Sequence, residues 1–388
     1  MVAGLLLAGG GEALAQAQAG TSPRIEHWGA FFGSGSNGDE NVTVSPTPIG
    51  LPAPVEQVAT SNSTQYALLT DGTVWAWGQG THGQLGNGGT ADSLTSAVQV
   101  QFPPGVRIAY LPTDAMPYNT ALAVDTDGNA WGWGRNRNGQ LCLGNEATYL
   151  RPVQLPLSGV STLAGAGAHA VYDSSGTVVS CGSGAQGELG DGTKTSSTTP
   201  VPVTGLDGQD VTQLVSAFEN AGALMSDGTY CDWGYDAQGQ LGDGKVNQPS
   251  DVPVQVHFPD SSPVAQVVQG GSQTGNGQSF VMLADGRIYA WGNDWTSQLG
   301  DGRSGVRARP ELITPPSGVT YAALATGGNT SYGLTAYGDV YAWGDNQKGQ
   351  IGNGTRTRSN VPVRVAGGAT MISATANDVT IGGYFGFR

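Results

Sequence analysis

Short, glycine-bounded segments with apolar residues on both sides of an extended strand recur along the chain. The clearest is Thr73-Val74-Trp75-Ala76-Trp77, where residues 73, 75 and 77 point one way and residues 74 and 76 the other. Because both sides are apolar, we expect this strand to be buried on both faces, as it would be between two packed sheets. No long segment has the 3.6-residue period of an amphipathic helix. The pattern therefore predicts an all-β protein.

These segments end seven times in tryptophan or cysteine followed by glycine, at intervals of 48 to 58 residues. The seven dipeptides are Trp28-Gly29, Trp77-Gly78, Trp133-Gly134, Cys181-Gly182, Trp233-Gly234, Trp291-Gly292 and Trp343-Gly344. A self-similar period of this length indicates a repeat architecture and not several independent domains. With four short strands in each period, the repeats predict a seven-bladed β-propeller that spans residues 21–388 as one domain.

Each repeat carries turn signals on both sides of its Trp-Gly strand. Asp71-Gly72 precedes the strand, and this dipeptide favours a tight hairpin. A Gly-Gln-Leu-Gly-Asn-Gly segment at 83–88 follows it, and its glycines permit left-handed backbone. The strand upstream of the hairpin, at 63–69, has small side chains, and we expect it to lie where blades converge on the central axis. We expect proline-bearing segments such as 200–203 to begin the next blade at an outer edge.

The two ends of the chain together contain the strands of one repeat. Only Arg24–His27 precede the first Trp-Gly, so that repeat lacks its upstream strand. Residues 369–374 through 379–382 supply strand-like segments with no Trp-Gly after them. We expect the amino-terminal and carboxy-terminal strands to pair, which would close the ring and remove exposed sheet edges.

The first twenty residues do not follow the repeat. Val2–Ala8 is apolar but too short to cross a bilayer, and Ala15, Ala17 and Ala19 form small-x-small sites of the kind that signal peptidase cleaves. We interpret residues 1–20 as a signal peptide, with a disordered tail as the alternative. We expect a secreted protein whose mature chain begins near residues 18 to 20. No other segment is predicted to span a membrane.

The net charge of the chain narrows the class of partner that it can bind. The 388-residue chain has a net charge of −14, and three of its 16 basic residues are lysines. Nucleic acid is bound through lysine and arginine contacts to phosphates, so this balance argues against a nucleic-acid partner.

Cys181 and Cys231 fall at strand positions, and we interpret them as small core residues. The cysteine spacing predicts neither a disulfide framework nor a metal site.

Catalytic and cofactor-binding motifs are not found. The histidines at positions 27, 82, 169 and 257 lack metal-ligand spacing, and no nucleophile elbow, Walker loop or dinucleotide fingerprint occurs. Asp191, Asp243 and Asp301 recur in register, but they occupy turn positions that Asn87 and Asn353 fill elsewhere. We therefore expect no catalytic residue, no metal and no cofactor.

The loop after each Trp-Gly is the part of the repeat that varies. The third residue after the glycine is phenylalanine, threonine, arginine, alanine, alanine, tryptophan and glutamine in successive repeats. Trp295 is the one tryptophan outside a strand position, and aromatic and arginine side chains on an exposed rim are typical of binding hot spots. The candidate rim residues are Trp295, Phe31, Phe32, Arg135, Arg137, Asp294, His82 and Tyr235. The alternative is that each of these side chains folds over its own blade.

The motif Asp-Gly-x-Val/Ile-Trp/Tyr-Ala-Trp-Gly-x5-Gly-Gln-Leu-Gly-Asp/Asn-Gly, best seen at 71–88, 285–302 and 338–354, resembles the repeat of the regulator of chromosome condensation family. The resemblance covers roughly residues 24–388 and implies a β-propeller, which we place with the bacterial secreted type. It does not imply one activity. The family includes an exchange factor for a small GTPase, a plant ultraviolet-B receptor that senses through tryptophans, and a secreted propeller that inhibits β-lactamases.

The chain departs from the family repeat in three places. The family's usual histidine before the inner strand is mostly absent, and its slot holds Gln65, Ala121, His169, Ala221, Ser279 and Ser331. Cys181 replaces the fourth tryptophan. The third repeat reads as a stretched module at 139–144. We interpret all three departures as core variation.

The features above favour a secreted, non-catalytic, monomeric propeller that binds another protein through the loops on one rim. Enzyme inhibition is one concrete form of that binding. The rival hypothesis is an enzyme or carbohydrate-binding protein with a site in the central funnel, where carboxylates from distant loops would meet. Two carboxylates about 5–9 Å apart would favour this rival. A weaker alternative, from the family resemblance alone, is a guanine-nucleotide exchange factor.

Overall fold

The computed structural model describes residues 24–32, 40–61, 64–112, 116–271, 277–374 and 383–387. These residues contain 28 β-strands and no helix. The strands form four-stranded antiparallel sheets, and the predicted all-β propeller fold is confirmed. The signal peptide predicted at 1–20 lies outside the described residues.

Two strands near the start of the chain, β1 (Arg24–Phe32) and β2 (Glu40–Ile49), come before the first blade. Six blades follow, each made of four consecutive strands. Blade 1 consists of β3 (Val55–Ser61), β4 (Thr64–Leu69), β5 (Val74–Gly78) and β6 (Ser93–Gln99). Blade 2 consists of β7 (Ile108–Tyr110), β8 (Thr120–Asp125), β9 (Ala130–Gly134) and β10 (Tyr149–Gln154). Blade 3 consists of β11 (Val160–Ala166), β12 (His169–Ser174), β13 (Thr177–Gly182) and β14 (Ser197–Pro202). Blade 4 consists of β15 (Val211–Ala217), β16 (Asn220–Met225), β17 (Tyr230–Gly234) and β18 (Ser250–Gln255). Blade 5 consists of β19 (Val264–Gly270), β20 (Gln278–Leu283), β21 (Ile288–Asn293) and β22 (Val306–Ile313). Blade 6 consists of β23 (Tyr321–Thr326), β24 (Thr330–Thr335), β25 (Val340–Gly344) and β26 (Ser359–Ala366).

The two ends of the chain share one further sheet, which we call the closing sheet. It contains β27 (Ala369–Ala374), β28 (Gly383–Phe387), β1 and β2, in that order. Strand β1 pairs with β28 over four residue pairs, beginning with Arg24 opposite Phe387. The predicted pairing of the chain ends is therefore present, although residues 379–382, where the sequence placed part of it, lie outside the described residues. The structure has six blades of consecutive strands where the sequence predicted seven.

Strands β11, β15, β19, β23, β27 and β3 pack side by side in that order, which places the first strands of these blades nearest the central axis. Glutamine side chains join them. The Gln213 amide donates to Val267 O at 2.8 Å and accepts from Val267 N at 3.1 Å. Gln266 makes the same two bonds with Leu324, at 3.1 and 2.9 Å. The expectation that the small-residue strands line the axis is wrong, because they lie second in each blade. Small side chains indicate crowding but not which neighbour causes it.

The proline-bearing segments form the fourth and outermost strand of a blade. Pro202 of β14 lies opposite Val179 of β13, so this strand completes its own blade and does not begin the next one. The outer-edge position was predicted correctly, since proline lacks the N–H that an inner strand must donate.

A buried tryptophan from the Trp-Gly dipeptide fastens its blade to the preceding one. The Nε1 of Trp291 donates to the backbone oxygen of Gln240, one blade earlier, at 2.7 Å. The indole lies against Gly242, which has a φ of +65°, and a Cβ there would stand 2.7 Å from Nε1. Glycine at this position permits both the left-handed turn and the close approach of the ring. The same Trp–Gly clamp, as we call it, recurs at Trp28–Gln350, Trp133–Gln84, Trp233–Glu188 and Trp343–Gln298.

Two cysteines stand at the positions of this clamp between blades 2 and 3. Cys181 occupies the tryptophan's strand position and Cys142, with a φ of +58°, occupies the glycine's loop position. They form a disulfide with their Cα atoms 5.5 Å apart. The interpretation of Cys181 as a plain core residue without a disulfide is therefore wrong. Cysteines 39 residues apart become neighbours only when the two blades pack.

Two register expectations also fail. The 139–144 segment is not stretched, since the N–H of Cys142 bonds to Gly139 O at 2.9 Å in the same turn that the sister loops make. His169 is one residue away from its assigned slot, and Ala170 is the residue opposite Cys181. The buried His169 ring contacts Ser216 Oγ through Nε2 at 3.0 Å. Burial lowers the pKa of His169 to about 4, so it is a neutral structural group between blades 3 and 4.

Candidate functional site

Two sets of loops leave the same edge of every blade. In blade 2 the antiparallel register places Thr120, at the start of the second strand, opposite Gly134, at the end of the third. The hairpin between the first two strands and the loop between the last two therefore emerge together, and we call this edge the loop rim. It contains the loops 79–92, 135–148, 183–196, 235–249, 294–305 and 345–358, and the described hairpin residues 116–119, 167–168, 218–219 and 327–329.

A glutamine or glutamate side chain braces each long loop of the rim from inside. The Oε1 of Gln84 accepts the N–H of His82 at 2.7 Å, and Gln298 accepts the N–H of Thr296 at 3.0 Å. Glu188 does the same in blade 3, where its carboxylate accepts an N–H at 2.7 Å. The residues that vary between loops therefore stand on a fixed backbone.

Asp294, a predicted rim contact, is instead part of this internal brace. It is completely buried, and its Oδ1 accepts the N–H of Leu299 at 2.9 Å. Asn136 and Asn346 make the same bond in blades 2 and 6. Burial, and then the charge of Asp301, raise the pKa of Asp294 to about 7. In the sequence, Asp294 is a polar loop residue beside Trp295. Its alignment with Asn136 and Asn346 is what indicates its structural role.

Trp295 stands out from the rim into solvent. Its side chain is 60% exposed, whereas the strand tryptophan Trp291 of the same blade is fully buried. The Trp295 backbone N–H is held by Asn293 Oδ1 at 3.1 Å. The indole Nε1 donates to Gln238 Oε1 of blade 4 at 3.2 Å. The ring therefore bridges two neighbouring loops at the surface and is not folded into its own blade.

Three of the predicted rim residues come together at the junction of blades 1 and 2. The Arg135 guanidinium lies over the ring of Tyr118, with Cζ 5.4 Å from the ring centroid. Burial, followed by the positive charges of Arg135 and Arg137, lowers the pKa of the half-buried His82. Neither arginine forms an ion pair with a residue that the structure describes. We call Tyr118, His82, Arg135 and Arg137 the basic patch.

The half-buried Tyr235 lies beside an acidic pair that sequence reasoning missed. Its backbone N–H donates to Glu219 O at 2.9 Å. Burial, and then the charge of Glu188, raise the pKa of Glu219 to about 7. Burial also raises the pKa of Glu188, which is 3% exposed. Glu188 belongs to blade 3 and Glu219 to blade 4, so the pair exists only across the blade junction.

Neutral amides occupy the same two positions at other junctions. Gln84 Nε2 donates to Asn119 Oδ1 at 3.4 Å between blades 1 and 2. Gln298 Nε2 donates to Asn329 Oδ1 at 3.3 Å between blades 5 and 6. The fold is therefore built with uncharged side chains at these positions, and the acidic pair is a local departure. Comparing the repeats in register would have shown that both positions are acidic here, but not that the two side chains meet across a junction.

Phe31 and Phe32 are not in a rim loop. Both belong to strand β1, where Phe31 lies opposite Asn41 and Phe32 opposite Glu40 of β2. The prediction fails because this Trp-Gly strand continues past its glycine, whereas the strand of blade 1 ends at Gly78.

The described strands nearest the central axis carry few acidic side chains. Among the first strands of the six blades and β27, Glu56 is the sole carboxylate. The described residues include no group of three or more histidine, cysteine, aspartate and glutamate side chains placed to hold a metal. Nor do they contain a helix long and apolar enough to cross a membrane.

The sheets and loops described above make the chain a β-propeller, and sequence comparison gives its family. Models of the regulator of chromosome condensation (RCC1) repeat match residues 71–111, 127–171, 175–217, 227–275 and 337–387, and also 55–84 and 321–350. The chain therefore belongs to the RCC1 repeat family.

Relatives of known name span several biological roles. The chain is 32% identical over 313 residues to the ultraviolet-B receptor UVR8 of Arabidopsis thaliana, covering 79% of this chain and 68% of the receptor. It is 30% identical over 362 residues to the human E3 ubiquitin-protein ligase HERC2, covering 90% of this chain and 7% of the ligase. The chain thus spans a small part of HERC2.

Solved structures share the fold at lower identity. Human WBSCR16 is similar with a TM-score of 0.78 and 21% identity, covering 95% of this chain and 99% of that one. Prp20p from Saccharomyces cerevisiae is similar with a TM-score of 0.77 and 21% identity, covering 95% of this chain and 92% of that one.

Proposed function

We propose that the chain is a non-catalytic binding protein that recognises another protein through its loop rim, with Trp295 as an anchor. The observation that carries the proposal is a 60% exposed indole on a loop whose backbone is held by Gln298 and Asp294. A rigidly mounted tryptophan offers a large contact area and loses little conformational entropy on binding. The fold does not require tryptophan there, since sister loops have threonine, arginine, alanine or glutamine.

Two structures of a yeast relative support protein recognition as a use of this fold. Prp20p was studied for its binding to Gsp1p and histones, and yeast RCC1 (Prp20) was solved bound to Kap60. From these two structures we carry over only that the fold binds proteins. Inhibition of the bound partner is one concrete form of this function, and nucleotide exchange is the weaker alternative. The funnel alternative has less support, because the described first strands and β27 contribute a single carboxylate, Glu56, and no pair.

We further propose that the protein works in an oxidising compartment, as a secreted protein. The buried disulfide between Cys142 and Cys181 supports this, since stable disulfides form and persist outside the reducing cytosol. The natural protein should be recovered from culture medium with this bond intact. Recovery inside cells alone, with both thiols reduced, would contradict the proposal.

We also propose that the closing sheet serves as a seventh blade and that the propeller is a monomer. Trp28 Nε1 donates to Gln350 O of blade 6 at 2.6 Å, and Thr60 Oγ1 of blade 1 donates to Ala374 O at 2.7 Å. The closing sheet is thus bonded to both of its neighbours, and a ring closed in this way has no free inner edge for self-association. Sedimentation velocity should give a single monomeric species, and a stable dimer would argue against it.

Amide hydrogen exchange tests the use of the rim once a partner has been captured on the immobilised chain and purified. We expect binding to protect loops 235–249 and 294–305. The turns at the opposite edge, such as 226–229 and 284–287, should exchange as they do in the free protein. Protection confined to the opposite edge or to the first strands would show that another surface is used.

A further inference from the structure

We propose that the basic patch docks an acidic segment of the partner protein, a refinement that rests on the proposed function of the loop rim. Several arginine side chains, Arg287, Arg303 and Arg364 among them, are already paired with carboxylates of the chain itself. Arg287 pairs with Asp285 at 2.7 Å and Arg303 with Asp301 at 2.6 Å. In a chain with 30 acidic residues, two neighbouring arginines without an ion-pair partner among the described residues are left free for an external carboxylate.

The patch also orients its charges. Tyr118 holds the Arg135 guanidinium by a cation–π contact, which fixes the group without removing its charge. Arg137 is exposed and occupies the same loop position as Trp295 three blades on. A guanidinium fork binds a carboxylate through two parallel hydrogen bonds, so two adjacent forks suit consecutive or alternate acidic side chains. The sequence singled out these arginines, and the structure adds Tyr118 and the absence of a competing described carboxylate.

A labelled octaglutamate peptide is a direct probe of the patch. We expect it to bind the intact chain at low salt, and the double variant Arg135→Ala/Arg137→Ala to weaken binding by about fivefold or more. The matched control is Arg356→Ala/Arg358→Ala, which removes the same charge from exposed arginines of the rim loop in blade 6. The control should bind the peptide as the parent does.

Three outcomes would overturn this assignment. They are no binding of octaglutamate, equal losses in both double variants, and patch-dependent binding of octathymidylate without binding of the peptide. Each of these outcomes is compatible with a Trp295→Ala variant that still binds a captured partner more weakly. The experiment can therefore refute the docking of an acidic segment without refuting the use of the loop rim.

An independent observation carries a second inference. We infer that the Cys142–Cys181 disulfide is a covalent substitute for the Trp–Gly clamp. Both halves of the clamp are exchanged together at one junction, and neither half could change alone. At Gly86, Gly242 and Gly300 an added Cβ would lie 2.6 to 2.8 Å from the facing indole. A tryptophan at 181 would therefore collide with Cys142, and a glycine at 142 would leave Cys181 with no partner.

Reduction should then loosen one specific junction. A dithiol such as dithiothreitol would break the S–S bond, giving two cysteine thiols and the cyclic disulfide of the reagent. Blades 2 and 3 would be left without either the covalent bond or an indole clamp. We expect the melting temperature of the chain to fall by about 5 °C under reducing conditions.

The double variant Cys142→Gly/Cys181→Trp restores the ordinary clamp and is the sharpest test. It should melt near the oxidised parent and be insensitive to dithiothreitol. Cys181→Trp alone should be destabilised in both conditions. If the reductant left the parent's melting temperature unchanged, or if the double variant were as unstable as Cys181→Trp, the substitution of one clamp for the other would be refuted.

Alkylation in denaturant before and after reduction checks the bond itself. The parent should take up one iodoacetamide before reduction, at Cys231, and three afterwards. Uptake of three before reduction would show that Cys142 and Cys181 are free thiols.

Discussion

Trp291 and Trp295 are four residues apart in the same blade, yet one is fully buried and the other 60% exposed. Trp291 repeats a contact made at four other junctions, where an indole donates to a carbonyl of the preceding blade. The position of Trp295 holds a tryptophan in this repeat alone. Residues shared by the repeats therefore join neighbouring blades, whereas residues found in one repeat are the candidates for recognising a partner protein.

The closing sheet should show the largest effect, because it holds both ends of the ring together. Deletion of residues 369–388 removes β27 and β28, and leaves β1 and Thr60 without the partners they have now. We expect an insoluble product or a melting temperature many degrees lower. Solubility and thermal unfolding measure this, and an unchanged melting temperature would mean that the closing sheet does not hold the ring.

Trp291→Ala removes a buried clamp and should lower the free energy of unfolding by about 3–5 kcal/mol. Its indole packs in a core cluster with Tyr230, Val256 and Val281 and donates to Gln240 O. Chemical denaturation monitored by circular dichroism gives the value. Trp295→Ala is the matched control and should change stability by about 0.5 kcal/mol or less. Similar losses in both variants would remove the distinction between clamp and rim tryptophans.

The acidic pair offers a smaller effect with a defined pH dependence. The pKa of Glu219 is about 7 in the folded chain, above its ordinary value of 4.5. Between these values the folded chain keeps a proton that the unfolded chain has released, so stability falls as pH rises through this window. The variant Glu188→Gln/Glu219→Asn installs the amides of the sister junctions. It should therefore raise the free energy of unfolding by about 1 kcal/mol at pH 8 and change it little at pH 4.

The reciprocal variant sharpens that comparison. Gln298→Glu/Asn329→Glu builds the acidic pair at the junction of blades 5 and 6, away from the basic patch, and should lower the free energy of unfolding at pH 8 by a similar amount. Denaturation curves of both variants at pH 4 and pH 8 would test whether the charge of the pair sets this difference in stability. A gain from the first variant that did not depend on pH would assign the effect to packing and not to charge.

The repeated positions could be predicted from sequence, and the junctions could not. Asp71-Gly72, Trp77-Gly78 and the 83–88 turn are local signals, so the all-β propeller and the pairing of the chain ends followed from their register. The Cys142–Cys181 bond and the Glu188–Glu219 pair join different blades, and no spacing within one repeat encodes them. The radial order of the strands is non-local for the same reason.

Prediction of the rim was uneven for a related reason. Asp294 and Trp295 are adjacent in a polar loop, but one side chain turns inward to brace Leu299 N and the other stands in solvent. Composition of the loop gives no means of separating them, whereas alignment of Asp294 with Asn136 and Asn346 does. Phe31 was misplaced because its strand runs longer than those of the other repeats.

Titration of a captured partner against Trp295→Ala tests the use of the loop rim most directly. If the rim is the binding surface, this variant should weaken binding by about 2 kcal/mol or more, as expected for an aromatic anchor, while its circular dichroism spectrum and melting temperature stay those of the parent. Unchanged affinity for the partner, in a variant that remains folded, would contradict the assignment of Trp295 as the anchor and of its rim as the binding surface.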